Sequence, residues 1–336
     1  MRRIVFLCPA DDTPTGGIKV IYRHCELLNR LGVNAFVMHP FDQGFRCSWF
    51  AHDARFTDGP QLDPAHDFVI VPELWALPFG RQCREAGIRY AIFVQNGYLT
   101  HAVLPAHTRA DVEAAYQGAA LILSISADSS RMVRINYPGI GPDRMVPVRY
   151  SIGPQFHRAT DADSRGRRIG YMPRKLADHA SRVAFALHAH LPPGWQLLPI
   201  HQASEADCVR MLFSSSIFMS FSSFEGLPLP PLEAAVAGNM VIGYTGEGAR
   251  EYWHKPQFQE IQPGDIAGFS TAVARAARQL DSGAMNLASL HASSRALAER
   301  FSETAELAAL ATLHARIKGL FGASVGRPAA RELEPA

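Results

Sequence analysis

Short apolar runs alternate with longer segments whose apolar positions recur every three or four residues, and the alternation starts twice. In the first half the runs are Ile4–Cys8, Val33–Met38, Phe68–Val71, Arg89–Val94 and Leu121–Ile125. Near-continuous apolar runs of this length predict strands buried on both faces, as in a parallel sheet. Helical patterns separate them. Ile18–Leu31 places Val20, Cys25, Leu27, Leu28 and Leu31 on one face and is closed by Gly32. Pro78–Ala86 and Ser126–Ile135 follow, the latter with Asp128 and Ser129 in its first turn.

The second half repeats the scheme with strands at Ile169–Met172, Trp195–Ile200, Ile217–Phe221 and Met240–Tyr244. Helices are expected over Leu176–His190, Glu205–Phe213 and the Ala-rich stretch that ends at Gly238. Three more follow at Asp265–Leu280, Met285–Arg300 and Glu303–Leu320. The last carries Leu307, Leu310, Leu313, Ile317 and Leu320 as an apolar face. Two rounds of strand–helix alternation predict two α/β domains, each a doubly wound parallel sheet. The polar stretch after His157 lacks an apolar pattern and reads as a linker. The expected division is therefore 1–157, a linker 158–167, a second domain 168–305, a terminal helix 306–322 and a disordered tail 323–336. Residues 40–66 are irregular and rich in aromatics (Phe41, Phe45, Trp49, Phe50, Phe56). They form either a loop facing a ligand or a cover for the sheet.

Composition narrows the function classes. At 336 residues, 47% apolar and 19% charged, the chain has the make-up of a soluble globular protein with two cores. A net charge of +2, with no basic stripe and interleaved aromatics, excludes an ordinary nucleic-acid binder. The five cysteines form no CxxC pair, which points to a reducing cytoplasm and no zinc site. The basic, apolar start Met1–Cys8 is interrupted at Pro9-Ala10-Asp11-Asp12, too early for a signal peptide. No apolar run approaches the ~20 residues of a membrane span. A cytoplasmic protein is expected, with peripheral contact at the cytoplasmic face of the inner membrane compatible with its mild basicity.

The chemistry concentrates in Ser222-Ser223-Phe224-Glu225-Gly226-Leu227-Pro228-Leu229-Pro230-Pro231-Leu232-Glu233. A strand feeds a tight turn and then a helix start, where Pro230 and Pro231 fit because N–H groups of a first turn lack helical partners. That arrangement aims main-chain N–H groups and a positive dipole end at an anion. Glu225 and Glu233 then stand beside the anion as acceptors for hydroxyls. Phosphate together with sugar hydroxyls describes a nucleotide-sugar; an ordinary strand–loop–helix is the plain alternative. Arg174-Lys175, where a strand gives way to a helix, is placed to neutralise a diphosphate. Gly16-Gly17 before the first long helix, and Gly246 and Gly248 after a later strand, permit close approach of a backbone. The dinucleotide fingerprint GxGxxG is absent. Gln95, Asn96 and His101 follow a strand and form a candidate wall of the site. Asp161-Ala162-Asp163 has DxD spacing, but in a polar linker it reads as a solvated loop.

Taken together, the chain resembles the retaining glycosyltransferases of the family-four type, nearly end to end. The motifs are Thr15-Gly16-Gly17, Ser124-Ile125-Ser126, Gly153-Pro154-Gln155-Phe156-His157, Gly170 to Lys175, and the EX7E string Glu225 to Glu233. The resemblance implies the GT-B architecture, two Rossmann-like domains facing a cleft with the final helix crossing back to the first. It implies transfer of a sugar from a nucleoside-diphosphate-sugar to an acceptor hydroxyl, without cofactor or metal, in surface polysaccharide or glycoconjugate synthesis. The acceptor is then a glycan, a lipid-linked glycan or another hydroxyl compound. By the same resemblance Glu233 binds ribose hydroxyls and Glu225 contacts the donor sugar. Gly226 and Leu227 line the sugar–phosphate, Arg174 and Lys175 hold the diphosphate, and Gly16 and Gly17 approach the donor. Gln95, Asn96 and His101 lie on the acceptor side. Two departures stand out: Arg174 and Lys175 are adjacent where the family separates its Arg and Lys, and Gln95-Asn96 replaces a histidine-rich loop. The alternatives are a sugar-nucleotide epimerase of the same fold and a non-catalytic partner of a glycosyltransferase.

Overall fold

The computed structural model describes residues 3–101, 108–157, 166–321 and 331–332. The chain divides into two compact units, one of Met1–Tyr150 with Thr304–Ala336, the other of Ser151–Glu303. In the first, β1 (Arg3–Leu7), α1 (Gly16–Arg30), β2 (Ala35–Met38), β3 (Gln61–Leu62), β4 (Asp67–Pro72), α2 (Ala76–Glu85) and β5 (Arg89–Val94) come in turn. Then follow α3 (Arg109–Gly118), β6 (Leu121–Ser124), α4 (Ala127–Asn136) and β7 (Met145–Pro147). Six of these strands form a parallel sheet in the order β2-β1-β4-β5-β6-β7. The strand order reverses direction between β1 and β4, and ligands of open α/β sheets bind beyond the carboxyl ends at such a point.

The second unit holds β8 (Arg168–Tyr171), α5 (Ala177–His188), β9 (Gln196–Pro199), α6 (Glu205–Ser214) and β10 (Ile217–Glu225). It continues with α7 (Leu229–Val236), β11 (Met240–Glu247), β12 (Phe258–Glu260), α8 (Ile266–Asp281) and α9 (Leu287–Arg300). Its parallel sheet runs β12-β11-β10-β8-β9, so its reversal lies between β8 and β10. Apolar periodicity explains the elements. The inner strands β4, β5, β6, β10 and β11 are largely buried on both faces, whereas the edge strand β9 is not, and Gly32 (φ +76°) and Gly238 (φ +89°) take the left-handed backbone that closes α1 and α7.

The last helix, α10 (Glu303–Leu320), returns to the first unit. Its Glu306 is fully buried, with Oε2 2.9 Å from Arg23 Nε and Oε1 3.3 Å from His24 Nε2. His24 Nε2 also lies 2.8 Å from the Arg149 carbonyl oxygen. Phe321 packs on Phe68 and lies beneath the Arg89 guanidinium.

The first unit ends at Tyr150 rather than after His157. Ile152 and Phe156 bury in the second unit's core, and Ile152 N–H donates to the Phe301 carbonyl at 2.9 Å. Of the expected linker, Gly166 and Arg167 belong to that unit, Arg167 pairing with Asp281 at 2.8 Å. Residues 158–165, Asp161-Ala162-Asp163 among them, lie outside the described residues. So does the expected tail apart from β13 (Arg331–Glu332), which pairs antiparallel with β3. The aromatic stretch 40–66 is a cover: Phe50 and Phe56 pack against Tyr22 of α1 at 5.4 and 5.5 Å. Among the described residues no helix is long and apolar enough to cross a membrane.

Candidate functional site

In the second unit the predicted residues gather where the sheet order reverses. Lys175 follows β8, Glu225 ends β10, and Lys175 Nζ lies 2.6 Å from Glu225 Oε2. The pair thus bridges the crevice between the two strands that part company. Its side chains are 47% and 16% exposed, so the cation is open to solvent while the carboxylate is largely enclosed. Arg174 is exposed, and among the described residues no ion pair engages it. In the turn between β8 and α5 it is Lys175 that meets the glutamate. Glu233 sits half-buried on α7. The Cys208 thiol of α6 is pushed up by burial and, next, by the Glu233 carboxylate, which marks the flank of α7 from which Glu233 projects.

Backbone strain collects at this edge. Among the described residues, the non-glycine residues with positive φ are Leu176 (+47°), Gln202 (+48°), Phe224 (+48°) and Glu247 (+71°), which follow or end β8, β9, β10 and β11. Each left-handed residue with a side chain costs roughly 1–2 kcal/mol. Such strain persists where surrounding structure enforces it, and it favours functional positions. At Phe224 the β10–β11 register also shifts, between Ser222 and Glu225, and its ring is 64% exposed. The irregularity re-aims the chain so that Glu225 turns toward Lys175.

The turn that carries the two glutamates is held from beneath. Gly248, after β11, packs so closely that an added Cβ would sit 2.1 Å from the Gly226 carbonyl oxygen and 2.4 Å from that of Glu225. A Cβ on Gly246 would lie 2.6 Å from that of Ser222. The close approach predicted for these glycines is therefore to β10 and its turn. Tyr252, buried, donates its hydroxyl to the Pro228 carbonyl at 2.6 Å, midway between Glu225 and Glu233. Burial holds its phenol far above the usual range, with the carboxylates of Glu225, Glu251 and Glu233 adding to the effect. Sequence reading missed Tyr252, because an aromatic before Trp253 carries no local signal of what it supports.

In the first unit Gly16 and Gly17 open α1, and the Gln95 side chain rests against Gly17, where a Cβ would lie 3.1 Å from Gln95 Oε1. Asn96 caps the short turn Gly97–Leu99 by accepting the Tyr98 N–H at 3.0 Å, and Tyr98 donates to Asp128 Oδ2 at 2.8 Å. His101 is exposed beyond that turn, and no described contact joins it to Gln95 or Asn96. A further residue enters here. Glu73, the first after β4, is buried with Oε1 2.8 Å from the Asn96 N–H, and burial raises its carboxyl to about 7. Among the described residues, no group of three or more His, Cys, Asp and Glu is arranged to hold a metal ion.

The chain resembles solved structures in fold. It superposes on sucrose-phosphate synthase from Thermosynechococcus elongatus with a TM-score of 0.69 at 12% identity, covering 95% of this chain and 100% of that one. HepE of Anabaena in complex with UDP gives 0.70 at 12% identity, again 95% and 100%. The lipopolysaccharide outer core galactosyltransferase WaaB gives 0.63 at 15% identity, covering 95% and 99%. The fold is GT-B. At these identities the likeness concerns architecture, two α/β units each built on a parallel sheet. No protein-family model matches the chain, and no curated protein matches its sequence. Within the GT-B fold, Lys175 and Glu225 stand at the switch point of the second sheet, and Gly16, Gly17 and Glu73 at that of the first, with Gln95 following the adjacent β5.

Proposed function

We propose that this chain is a retaining, metal-independent glycosyltransferase that moves a sugar from a nucleoside-diphosphate-sugar to an acceptor hydroxyl. The Lys175–Glu225 pair across the β8/β10 switch point carries the reading. Half-exposed ion pairs contribute about 0–1 kcal/mol, so a diphosphate oxygen replaces Glu225 as partner of Lys175 at little expense. Arg174 supplies a second cation, and the main-chain N–H groups of Gly226 and Leu227 line the sugar–phosphate. Glu225, released, accepts hydrogen bonds from donor-sugar hydroxyls, and Glu233 does the same for ribose. Positive charge fixed in this way stabilises the leaving diphosphate, where negative charge develops. The sugar's anomeric bond to the phosphate oxygen breaks, a bond to the acceptor oxygen forms on the same face, and the acceptor's proton passes to the diphosphate. In the first unit we assign Gly16 and Gly17 to donor binding and Gln95, Asn96 and His101 to the acceptor.

HepE was solved with UDP and with UDP-glucose, which supports a UDP-sugar as the first donor to test. WaaB, a lipopolysaccharide outer core galactosyltransferase, supports a glycan or lipid-linked acceptor, and with it a role in surface polysaccharide or glycoconjugate synthesis. An epimerase would need a proton-handling carboxyl in the first unit. Of the buried carboxyls there, Asp67 pairs with Arg3, Glu306 with Arg23, and Glu73 bonds main-chain N–H groups. The deciding experiment measures UDP release from UDP-sugars by wild type and Glu233→Ala, with and without chelator. Unchanged release and donor affinity in Glu233→Ala would sink the proposal; conversion of the sugar without UDP release would favour the epimerase.

A further inference from the structure

The geometry points to Glu73 as a positioning residue that clamps the main chain of Gln95 and Asn96, its charge state setting how firmly that loop is held. The effect of the clamp on turnover rests on the glycosyl-transfer reading; the clamp itself does not. Glu73 leaves β4 on the β1/β4 switch point, and its carboxylate reaches the chain leaving β5, accepting the Asn96 N–H at 2.8 Å and bonding the Gln95 main chain. Gln95 in turn lies against Gly17 at the start of α1. One buried carboxyl therefore links the carboxyl ends of β4 and β5 to the first turn of α1, the residues read from the sequence as candidate walls of a site.

A buried carboxyl is an expensive way to cap two N–H groups unless its proton matters. Among the described residues no cation pairs with it. The titratable group facing it from the packed elements is the phenol of Tyr116 on α3, itself buried, stacked on Tyr137 at 3.9 Å, and raised by burial, Tyr137 and then Glu73. Burial, the leading cause, favours the neutral acid in the closed loop and outweighs the main-chain N–H groups of Glu73, Gln95 and Asn96, which favour the carboxylate. Any opening that lets water reach the carboxyl restores an ordinary acidity. Opening is therefore favoured progressively as pH rises from the ordinary carboxyl value of 4.5 toward about 7, and levels off above that, where the group is ionised in both states. The loop is held most firmly at the acid end of this window and has loosened fully by its alkaline end.

The test compares wild type with Glu73→Gln, a neutral group of the same shape, from about pH 4.5 through 8. Amide hydrogen exchange over residues 93–99, corrected for the intrinsic pH dependence, is the first readout. Wild-type protection at Asn96 should fall by up to about tenfold per pH unit between 4.5 and about 7 and level off above it, and E73Q should stay flat. UDP release from UDP-glucose is the second: the wild-type rate should decline over the same window, and E73Q should lack that decline. A flat wild-type exchange curve overturns the clamp, whether or not E73Q folds. Superimposable pH–rate profiles for the two proteins overturn the positioning role, since a merely structural carboxyl would leave the profile unmoved. If wild type releases no UDP from any UDP-sugar, the glycosyl-transfer reading fails while the exchange curves still decide the clamp.

Discussion

Gly248→Ala tests whether the glutamate turn is held in place by close backbone packing. The added methyl carbon would begin 2.1 Å from the Gly226 carbonyl oxygen and 2.4 Å from that of Glu225. Ordinary contact distances are longer by about 1 Å, and both opposing atoms are main chain, so no rotamer change relieves the clash. Either the loop after β11 or the turn after β10 must shift. Overpacking of this kind costs about 1–3 kcal/mol, which for a unit of this size lowers the melting temperature by roughly 2–12 °C. The turn carries Glu225, and misplacing a catalytic group by about 1 Å can cost on the order of 100-fold in rate. The assay pairs thermal unfolding with UDP release from UDP-glucose. Gly319→Ala is the control: no atom lies within 4 Å of its added Cβ, and its place in α10 favours alanine by up to ~1 kcal/mol. Wild-type stability and UDP release in G248A would refute the reasoning. So would equal losses in G248A and G319A, because then steric displacement is not what alanine does here.

Other expectations concern residues the chain uses as supports. Tyr252→Phe removes the hydroxyl bound to the Pro228 carbonyl and leaves that buried acceptor unmet; unfolding should cost about 1–3 kcal/mol less, and titration with UDP-glucose should show weaker binding. Glu73→Gln changes the pH dependence of stability. The folded carboxyl lies near 7 against an unfolded value of 4.5, so its stabilising effect is complete below 4.5 and lost as pH rises through 7. The stability of E73Q relative to wild type should therefore climb by roughly 3 kcal/mol over that window, measured by denaturant unfolding at a series of pH values. Glu306→Ala strips a buried carboxylate from Arg23 and His24, and a loss of about 3–5 kcal/mol is expected in the same assay. Limited proteolysis of that variant should cut first within α10, and resistance equal to wild type would argue against the anchoring role.

Much of the architecture was legible because it depends on periodicity. The strands read at Ile4–Cys8, Arg89–Val94 and Ile217–Phe221 match β1, β5 and the start of β10 within a residue or so, apart from the extra turnward residues of β10. The α3 helix was missed although Thr108 and Asp111 form a capping box, a signal the sequence does carry. The boundary at Tyr150 was missed because Ile152 and Phe156 look the same whichever core takes them. Burial against Leu232 and Phe301 in a single cluster is a tertiary fact.

The same division holds at the site. Two glutamates with seven residues between them, a basic pair after a strand and glycines after strands were visible as residue types at fixed spacings. The chain alone thus determined which groups stand at the carboxyl ends of which strands, since strand ends follow from local pattern. Only the tertiary structure decided that β8 neighbours β10, and hence that Lys175 rather than Arg174 meets Glu225. It likewise decided that Gly248 and Tyr252 hold the turn, and that Glu73 is shut away from water against the Asn96 N–H. Strand order, close packing and desolvation arise from residues far apart in sequence, and no local pattern encodes them.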